Sequence, residues 1–444
     1  MKNLLVPFWV LLIAFPAFSQ TIPERLDSLL AAYNKQNAFN GSALVARKGT
    51  VLLQKGYGYK EAKTNTPNDA NTIFQIGSIT KQFTSAIILQ LQEKNKLSVQ
   101  DKLSKYIPDY PRGKEITIEN LLTHTSGIYN YTNDPGALTF GGTKPIRLDS
   151  LIARFKNKPL DFSPGEKYSY SNSGYILLGY IIEKVTGRSY FRVVREQIFQ
   201  PLQMTHSGFD FAGLKSSDKA TGYISITARQ SAFIIDSSVS FAAGSIYTTV
   251  GDLYKWDRAL YTGRIISQAS LQKAFTPHLS KYGYGWMIDT LYGKKAVEHG
   301  GGIPGFFTFI LRVPEDETCI ILLDNRQSTA LSKMTTAIDA LLNGKEIAAP
   351  KERKEISMDT AILQLYAGQY ELAPGVVMTI RLENGKLTEQ LTGQGEFGIF
   401  AEKVNFFFMK VVDAQIEFTK GSDGKIEKLV LYQNGREIPG KKIN

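Results

Sequence analysis

A serine at the head of a long apolar run constrains this chain more than any other feature of its sequence. Ser78 and Lys81, three positions apart, follow Gly77, and apolar residues at helical spacing continue as far as Leu89. That spacing predicts a buried helix with the serine in its first turn. Residues three apart on a helix share a face, so the Lys81 amine should lie beside the Ser78 hydroxyl. A desolvated amine can activate a serine, which is otherwise a poor nucleophile, and the pattern therefore predicts a serine acyl-transfer site.

The same Ser-x-x-Lys spacing occurs elsewhere in the chain, so the spacing alone is weak evidence. The other pairs are Ser216 with Lys219, Ser270 with Lys273, and Ser422 with Lys425. These pairs lack the preceding glycine and the long apolar run. For Ser78 the alternative interpretation is a helix N-cap without chemistry, and for Lys81 it is an ordinary surface lysine.

Further motifs follow Ser78 in order along the chain. Tyr170-x-Asn172 comes next, and a His-Gly-Gly motif begins much later at His299. Other matching stretches are residues 116–127, 163–166 and 243–249. Together these motifs resemble the class C β-lactamase and penicillin-binding-protein-like serine hydrolase family, and the resemblance covers residues 22–345.

The resemblance implies an α/β fold of the α+β sandwich type. In that fold a five-stranded antiparallel sheet is combined with helices and a helical subdomain. The sequence pattern by itself gives an N-terminal amphipathic helix, a hairpin around Gly49, a late group of strands and a closing helix over residues 328–342. That order of elements indicates only a mixed α and β domain.

The resemblance also implies roles for the residues around Ser78. Tyr170 would be a general base or proton shuttle, and a positively charged Lys81 would help a phenol with a pKa near 10 to work near neutrality. Asn172 would offer its amide to Lys81 and to the substrate carbonyl. The backbone N–H groups of Ser78 and Gly302 would form an oxyanion hole. The alternative interpretations are a core tyrosine and a helix-capping asparagine.

The third motif departs from the family pattern. The β-lactamases of the family usually carry Lys-Thr-Gly, whereas this chain has His299, Gly300 and Gly301. A histidine is only fractionally charged near neutral pH, so a substrate carboxylate should be held more weakly than by lysine. The glycines allow the backbone to approach the substrate, and Gly301 and Gly302 join His299 and Asn172 as predicted substrate-binding residues. The alternative for His299 is a histidine in a glycine-rich turn.

The first residues have the pattern of a secretory signal peptide. Lys2 precedes an almost wholly apolar stretch over residues 4–18, and small residues surround a cleavage site near Ser19. We therefore expect a signal peptide over residues 1–19 and export to the periplasm or the extracellular space. A retained anchor is the alternative, although the stretch is shorter than the ~20 residues that span a bilayer. We expect no transmembrane segment after cleavage.

The composition of the chain argues against several kinds of binding partner and ligand. The formal net charge is +11, but the lysines are dispersed and no recognition motif for nucleic acid occurs, so we expect no nucleic-acid partner. The single cysteine, Cys319, lies in an apolar run that predicts a buried strand. The four histidines are far apart, which predicts no metal site, and no cofactor is expected. Of these histidines, His124 lies in a family-like stretch and is expected to be structural.

A second domain is predicted at the C-terminus. Residues 346–356 have the composition of a linker, and residues 357–444 consist of short β-rich runs. Tight turns between these runs are predicted at Asn384-Gly385, Asp423-Gly424 and Asn434-Gly435. This pattern predicts a small all-β barrel or meander, and it resembles the lipocalin-like accessory module of the same hydrolase family. No catalytic constellation is evident in it.

These observations predict an exported serine hydrolase that forms an acyl-enzyme on amide or ester bonds. The predicted catalytic residues are Ser78, Lys81 and Tyr170, and the substrate is a small molecule or peptide, including cell-wall-derived peptides. The activity would be that of a D-Ala-type peptidase, a D-amidase or an esterase. A weak class C-like β-lactamase, a non-catalytic protein that binds penicillin or cell-wall peptide, and a binding function in the C-terminal domain stay open, as does the oligomeric state.

Overall fold

The computed structural model describes most of the chain. The described residues are 20–134, 137, 140–328, 330–347, 353–409, 414–433 and 436–443. The predicted signal peptide, part of the predicted linker and the predicted Asn434-Gly435 turn lie outside them. Over these described ranges, no helix has the length and apolar character needed to cross a membrane.

The strands before residue 345 form a central sheet and several two-stranded pairs. They are β1 (Gly41–Arg47), β2 (Thr50–Tyr57), β3 (Tyr59–Glu61), β4 (Thr66–Pro67), β5 (Phe74–Gln75), β6 (Tyr223–Ser225), β7 (Gln230–Ser231), β8 (Tyr247–Thr248), β9 (Met287–Leu291), β10 (Lys294–Ile303), β11 (Phe306–Val313) and β12 (Thr318–Asp324). The central sheet has the order β2-β1-β12-β11-β10-β9 and is antiparallel throughout.

The central sheet has six strands, whereas the family resemblance implied five. The additional strand is β9, which pairs with β10 at one edge of the sheet. The two strands are joined by Tyr292 and Gly293, which both have positive φ. Such a two-residue turn matches the twist of the flanking strands and closes a tight hairpin. The expected strand count was therefore wrong because this hairpin extends the sheet.

Helices cover both faces of the sheet. They are α1 (Ile22–Lys35), α2 (Thr80–Glu93), α3 (Ile118–Leu122), α4 (Leu148–Lys156), α5 (Asn172–Thr186), α6 (Tyr190–Val194), α7 (Ser237–Gly244), α8 (Val250–Thr262), α9 (Gln268–Ala274) and α10 (Leu331–Leu342). The terminal helices α1 and α10 share one hydrophobic core with the sheet, and α2, α5 and α8 share the other.

The central strands β1 and β12 are buried on both sides. Successive side chains of a strand point to opposite faces, so Leu44 enters the core that contains α2, and Val45 enters the core that contains α1. Strands covered on both faces read as continuous apolar runs, which explains the sequence around Cys319. Cys319 is buried in β12, as its sequence context predicted.

The C-terminal part is a closed barrel. Its strands are β13 (Gly368–Ala373), β14 (Val376–Glu383), β15 (Lys386–Leu391), β16 (Glu396–Lys403), β17 (Phe406–Met409), β18 (Ala414–Lys420), β19 (Ile426–Gln433) and β20 (Arg436–Lys442), and a short helix α11 (Thr360–Gln364) precedes them. Neighbouring strands pair in chain order, and β13 pairs with β20 to close the barrel. The predicted all-β domain is confirmed, whereas its likeness to lipocalins stays a prediction.

The carboxyl group of Glu389 is buried inside the barrel, and one of its oxygens has no hydrogen-bond partner among the described residues. Glu389 on β15 is only 4% exposed, faces Ile380 across the strand pair, and has no partner for Oε2 among the described residues. Burial, together with the nearby charge of Glu396, raises the pKa of Glu389 to about 7. A carboxyl whose pKa is higher in the folded than in the unfolded chain makes stability fall as pH rises from about 4.3 to about 7.

Glu389→Met is therefore expected to stabilise the barrel more above neutrality than in mild acid. The gain in unfolding free energy should be about 1–3 kcal/mol larger at about pH 8 than at about pH 5. The reason is that the buried Glu389 side chain carries a destabilising charge at the higher pH and is protonated at the lower pH. Calorimetric unfolding of the full chain at the two pH values measures this difference. Glu371→Gln, which removes an exposed carboxylate on β13, is the control and should change little. An equal effect of Glu389→Met at both pH values would contradict the expectation.

Candidate active site

Ser78 lies in a turn of 3₁₀ helix, Gly77–Ile79, that runs directly into α2. Residues 80–91 of α2 are buried, whereas Ser78 is partly exposed and so accessible from solvent. Ser78 is not the N-cap of either helix, since those positions are Ile76 and Ile79. The N-cap interpretation of Ser78 is therefore wrong, and its hydroxyl is available for another role.

Lys81 is fully buried and its amine has three oxygen partners. Nζ lies 2.9 Å from Ser78 Oγ, 2.8 Å from Asn172 Oδ1 and 2.9 Å from the carbonyl oxygen of Ala243. Burial lowers the pKa of Lys81 well below its usual value. The surface-lysine interpretation is therefore wrong, and the predicted proximity of the amine and the hydroxyl is confirmed.

The partners of the Lys81 amine suit its neutral form. The oxygens of Asn172 and Ala243 can only accept hydrogen bonds, so they take the two N–H donors of a neutral amine. In a neutral amine the remaining lone pair would be directed at Ser78 Oγ, 2.9 Å away, whereas a protonated amine would donate to that oxygen. The arrangement can therefore remove a proton from Ser78 without first discharging a lysine ammonium.

Tyr170 contributes a second hydroxyl at Ser78. Its ring centroid lies 4.8 Å from Lys81 Nζ, and its hydroxyl is near enough to the Ser78 side chain for that side chain to favour the ionised phenol. Burial, helped by the neighbouring Tyr175 and Tyr168, raises the pKa of Tyr170 above its usual value. The sequence interpretation relied on a charged Lys81 to lower this pKa, and that part was wrong because burial raises the pKa of Tyr170 instead.

Asn172 is the first residue of α5, and its side chain bridges two segments. Oδ1 accepts from Lys81, and Nδ2 donates to Thr132 Oγ1 at 3.1 Å. The N-cap of α5 is Ser171, so the capping interpretation of Asn172 is wrong. Its predicted contact with a substrate carbonyl stays a prediction, and the structure gives it a role in orienting the Lys81 amine.

His299 lies on β10 and is almost completely buried. Nδ1 donates to the carbonyl oxygen of Gly300 at 2.6 Å, and Nε2 accepts from the Tyr282 hydroxyl at 2.8 Å. Burial, helped by the nearby Lys81 amine, lowers the pKa of His299 to about 3. The expected fractional charge was wrong, because the site around His299 excludes water. A direct contact between His299 and substrate stays a prediction, with both ring nitrogens already engaged within the protein.

The two glycines of the predicted substrate set have different surroundings. A Cβ on Gly301 would lie 1.9 Å from the carbonyl oxygen of Ile76 and 2.4 Å from Thr308 Oγ1, so this position requires glycine. A Cβ on Gly302 would meet nothing closer than the Phe307 ring at 3.6 Å. The backbone nitrogen of Gly302 lies 2.8 Å from the Cβ position of Gly77, which brings β10 against the Ser78 turn.

Sequence reasoning missed two groups at this site. Tyr282 is fully buried and holds His299, but nothing in its local sequence sets it apart from the other tyrosines of the chain. The carbonyl oxygen of Ala243 holds Lys81 and lies within a stretch that already resembled the family. A backbone acceptor has no side-chain signature, so only the match of residues 243–249 could have indicated it.

Comparison with known proteins decides the family. A family model described as beta-lactamase matches residues 26–343. The chain belongs to the β-lactamase family. Serine hydrolases with this fold include penicillin-binding proteins and amidases, and the predicted family resemblance is confirmed. A second model, a domain of unknown function called DUF3471, matches residues 352–442, which contain the barrel.

Individual relatives agree with this assignment. The chain is 36% identical over 317 residues to the putative penicillin-binding protein PbpX of Bacillus subtilis (strain 168), which covers 71% of this chain and 78% of that protein. The octameric penicillin-binding protein homologue from Pyrococcus abyssi is similar over 94% of this chain and 99% of its own, with 26% identity and a TM-score of 0.67. A D-stereospecific amidohydrolase from a Streptomyces species covers 71% of this chain and 99% of its own, with 26% identity and a TM-score of 0.59.

Proposed function

We propose that this protein is a serine hydrolase that forms an acyl-enzyme on Ser78 and cleaves amides or esters of D-amino acids that carry no free carboxylate. The observation that carries the proposal is the buried Lys81 amine, whose Nζ lies 2.9 Å from Ser78 Oγ while the oxygens of Asn172 and Ala243 accept from its N–H groups. A nucleophile beside a base that a third group orients is the general signature of covalent catalysis.

In the first half of the reaction Ser78 Oγ attacks the substrate carbonyl carbon, and its proton passes to Lys81 Nζ. The oxyanion is stabilised by the backbone N–H groups of Ser78 and Gly302. The carbonyl–leaving-group bond then breaks, and the leaving nitrogen or oxygen takes the proton of the Tyr170 hydroxyl. Lys81 returns its proton to Tyr170 across the site, so the amine is neutral again and the acyl group remains on Ser78.

In the second half of the reaction water hydrolyses the acyl-enzyme. The neutral Lys81 amine takes a proton from water as the water oxygen attacks the acyl carbon. The bond to Ser78 Oγ breaks, and the serine oxygen recovers its proton from Lys81. The free acid leaves, and the resting hydrogen bonds are restored.

The choice of substrates without a carboxylate rests on the basic groups around Ser78. Burial lowers the pKa values of Lys81, His124 and His299, so each of these basic groups holds a positive charge less readily than it would in water. A substrate carboxylate would be desolvated beside them without a compensating charge, which is costly. The D-configuration is proposed from the similarity to the Streptomyces D-stereospecific amidohydrolase.

Rates with a matched substrate set test this proposal. D-phenylalanine amide and its methyl ester should be hydrolysed, whereas L-phenylalanine amide and a D,D-dipeptide with a free carboxylate should react at least about tenfold more slowly, a difference of about 1.4 kcal/mol. Ser78→Ala with each substrate gives the background rate. Equal rates for the two enantiomers, or faster cleavage of the dipeptide, would contradict the proposed substrate class.

The pH dependence of kcat/KM is expected to follow Lys81 rather than a histidine. The neutral amine is the active form, so activity should be lost only on the acid side, where Lys81 gains a proton. Because the pKa of Tyr170 is raised, activity should stay constant through about pH 9, below the usual phenol range. Rate profiles of the wild type and of His299→Gln measure both limbs. An acid limb near the usual histidine pKa of about 6.5 that disappears in His299→Gln would contradict this assignment.

We also propose that the protein is exported, on the basis of the signal-peptide pattern in residues 1–19. N-terminal sequencing of the protein recovered from the periplasm or medium of expressing cells tests this. A mature chain that begins just after residue 19 is expected, and an intact N-terminus in the cytoplasm would overturn the proposal.

A further inference from the structure

His124 lies directly against the Tyr170 ring. The two ring centroids are 4.2 Å apart with an interplanar angle of 37°, and His124 is only 1% exposed. The same imidazole also contacts Tyr175 and Tyr282, at centroid distances of 5.2 and 4.6 Å. Tyr170 therefore has a rigid aromatic support behind it, on the side away from solvent.

His124 also binds the backbone on both sides of Tyr170. The N–H of Ser169 donates to the carbonyl oxygen of His124 at 2.9 Å, and the N–H of Ser171 donates to His124 Nδ1 at 3.1 Å. One residue thus holds the amide before the tyrosine, the amide after it and the ring between them. The contact with Ser169 uses the main-chain carbonyl, so two of the three contacts depend on the side chain, and these two require both a flat ring and an acceptor close to the backbone.

The protonation state of His124 suits these contacts. Burial, with the neighbouring Lys81 and His299, lowers the pKa of His124 well below its usual value. The neutral ring leaves Nδ1 free to accept from Ser171, whereas an imidazolium would carry a proton there and break the bond. Nε2 has no hydrogen-bond partner among the described residues, so the contribution of the ring is limited to Nδ1 and its face.

We propose that His124 is a positioning residue that fixes the Tyr170 hydroxyl at the distance from Ser78 that proton delivery to the leaving group requires. This inference rests on the proposed function, in which Tyr170 protonates the leaving group. It extends the expectation that His124 is merely structural. The chemistry involved is general: a displacement of about 1 Å in a catalytic group is enough to lower a rate strongly.

His124→Asn is the most informative variant. The asparagine Oδ1 can accept from Ser171 in place of Nδ1, and asparagine tolerates the positive φ of 58° at this position. The loop is therefore expected to keep its backbone conformation, while the aromatic support of Tyr170 is lost. His278→Asn is the matched control, because it removes an exposed imidazole stacked on Tyr284 at a centroid distance of 5.6 Å.

The measurement is the dependence of acylation on the leaving group. Methyl and p-nitrophenyl esters of the same D-amino acid differ in their need for a proton, since p-nitrophenolate leaves without one. His124→Asn should lower kcat/KM about tenfold for the methyl ester and less than about twofold for the p-nitrophenyl ester. Tyr170→Phe should show the same selectivity more strongly, and His278→Asn should show neither loss. The Tm of each variant is recorded alongside.

The outcomes separate this inference from the proposed function. Equal losses for both esters in His124→Asn, or no loss for either, overturn the positioning role when Tyr170→Phe is selective. If Tyr170→Phe itself lowers both rates equally, the assigned role of Tyr170 is wrong. That variant keeps His124, so its result tests the role of Tyr170 alone. Selective loss in both variants supports the inference.

Discussion

Ser78→Ala is expected to reduce the hydrolysis of amide and ester substrates to the background rate. Removing the nucleophile of a serine hydrolase lowers kcat by at least about 10⁴-fold, because no other group can form the acyl-enzyme. Stability should change by less than about 1 kcal/mol, since Lys81 keeps its bonds to Asn172 and Ala243. Steady-state rates and thermal unfolding of the full chain measure the two effects.

Ser216→Ala is the matched control for this variant. Ser216 has the same spacing to a lysine but is an exposed residue, and its hydroxyl accepts from the backbone N–H of Asp218. Its activity should equal that of the wild type. Substantial turnover by Ser78→Ala, at a rate above that of buffer, would show that Ser78 is not the nucleophile.

Gly301→Ala is expected to damage both the fold around Ser78 and the activity. Its methyl group would overlap the hydrogen bond of 2.9 Å that Thr308 Oγ1 donates to the carbonyl oxygen of Ile76. That bond fixes β11 to the segment immediately before the nucleophile. Overpacking of this kind costs about 1–3 kcal/mol, and a displacement of about 1 Å at the serine would lower kcat by about 10²-fold.

Gly302→Ala supplies the comparison, because the two glycines are adjacent on β10. A methyl group there meets only the Phe307 ring at ordinary contact distance, so the protein should keep its stability within about 1 kcal/mol. Chemical denaturation and kcat measured for both variants show whether the close packing is specific to Gly301, since alanine keeps the backbone N–H at either position. Equal stability of Gly301→Ala and the wild type would contradict the packing assigned to Gly301.

The parts of the site that are local in sequence could be predicted. The helical spacing after Ser78 was sufficient to place the Lys81 amine at its hydroxyl, because both lie on one turn. The proximity of Asn172 was available only from the order of motifs, since 91 positions separate it from Lys81. The charge of His299 could not be predicted, because it depends on burial and on a bond to Tyr282 that the tertiary fold creates.

The fold likewise has features that local sequence predicts and features that depend on tertiary contacts. The apolar runs of β1 and β12 and the tight turn at Asn384-Gly385 were readable, and Asn384 and Gly385 both have positive φ as such a turn requires. The late group of strands that the sequence pattern predicted contains β9, whereas the count of five strands came from the family resemblance and did not include the pairing of β9 at the sheet edge. The burial of Glu389 could not be predicted from the sequence either, since its sequence neighbours are polar and only barrel closure removes it from water.

The most direct test of acyl-enzyme formation on Ser78 is the intact mass of the protein trapped by rapid acid quenching during turnover of a D-amino-acid ester. A mass increase of one acyl group is expected, located by peptide mapping on Ser78 and absent from Ser78→Ala. An adduct on another residue, or turnover with no adduct on Ser78 even when acylation is made faster than hydrolysis with a p-nitrophenyl ester, would contradict it.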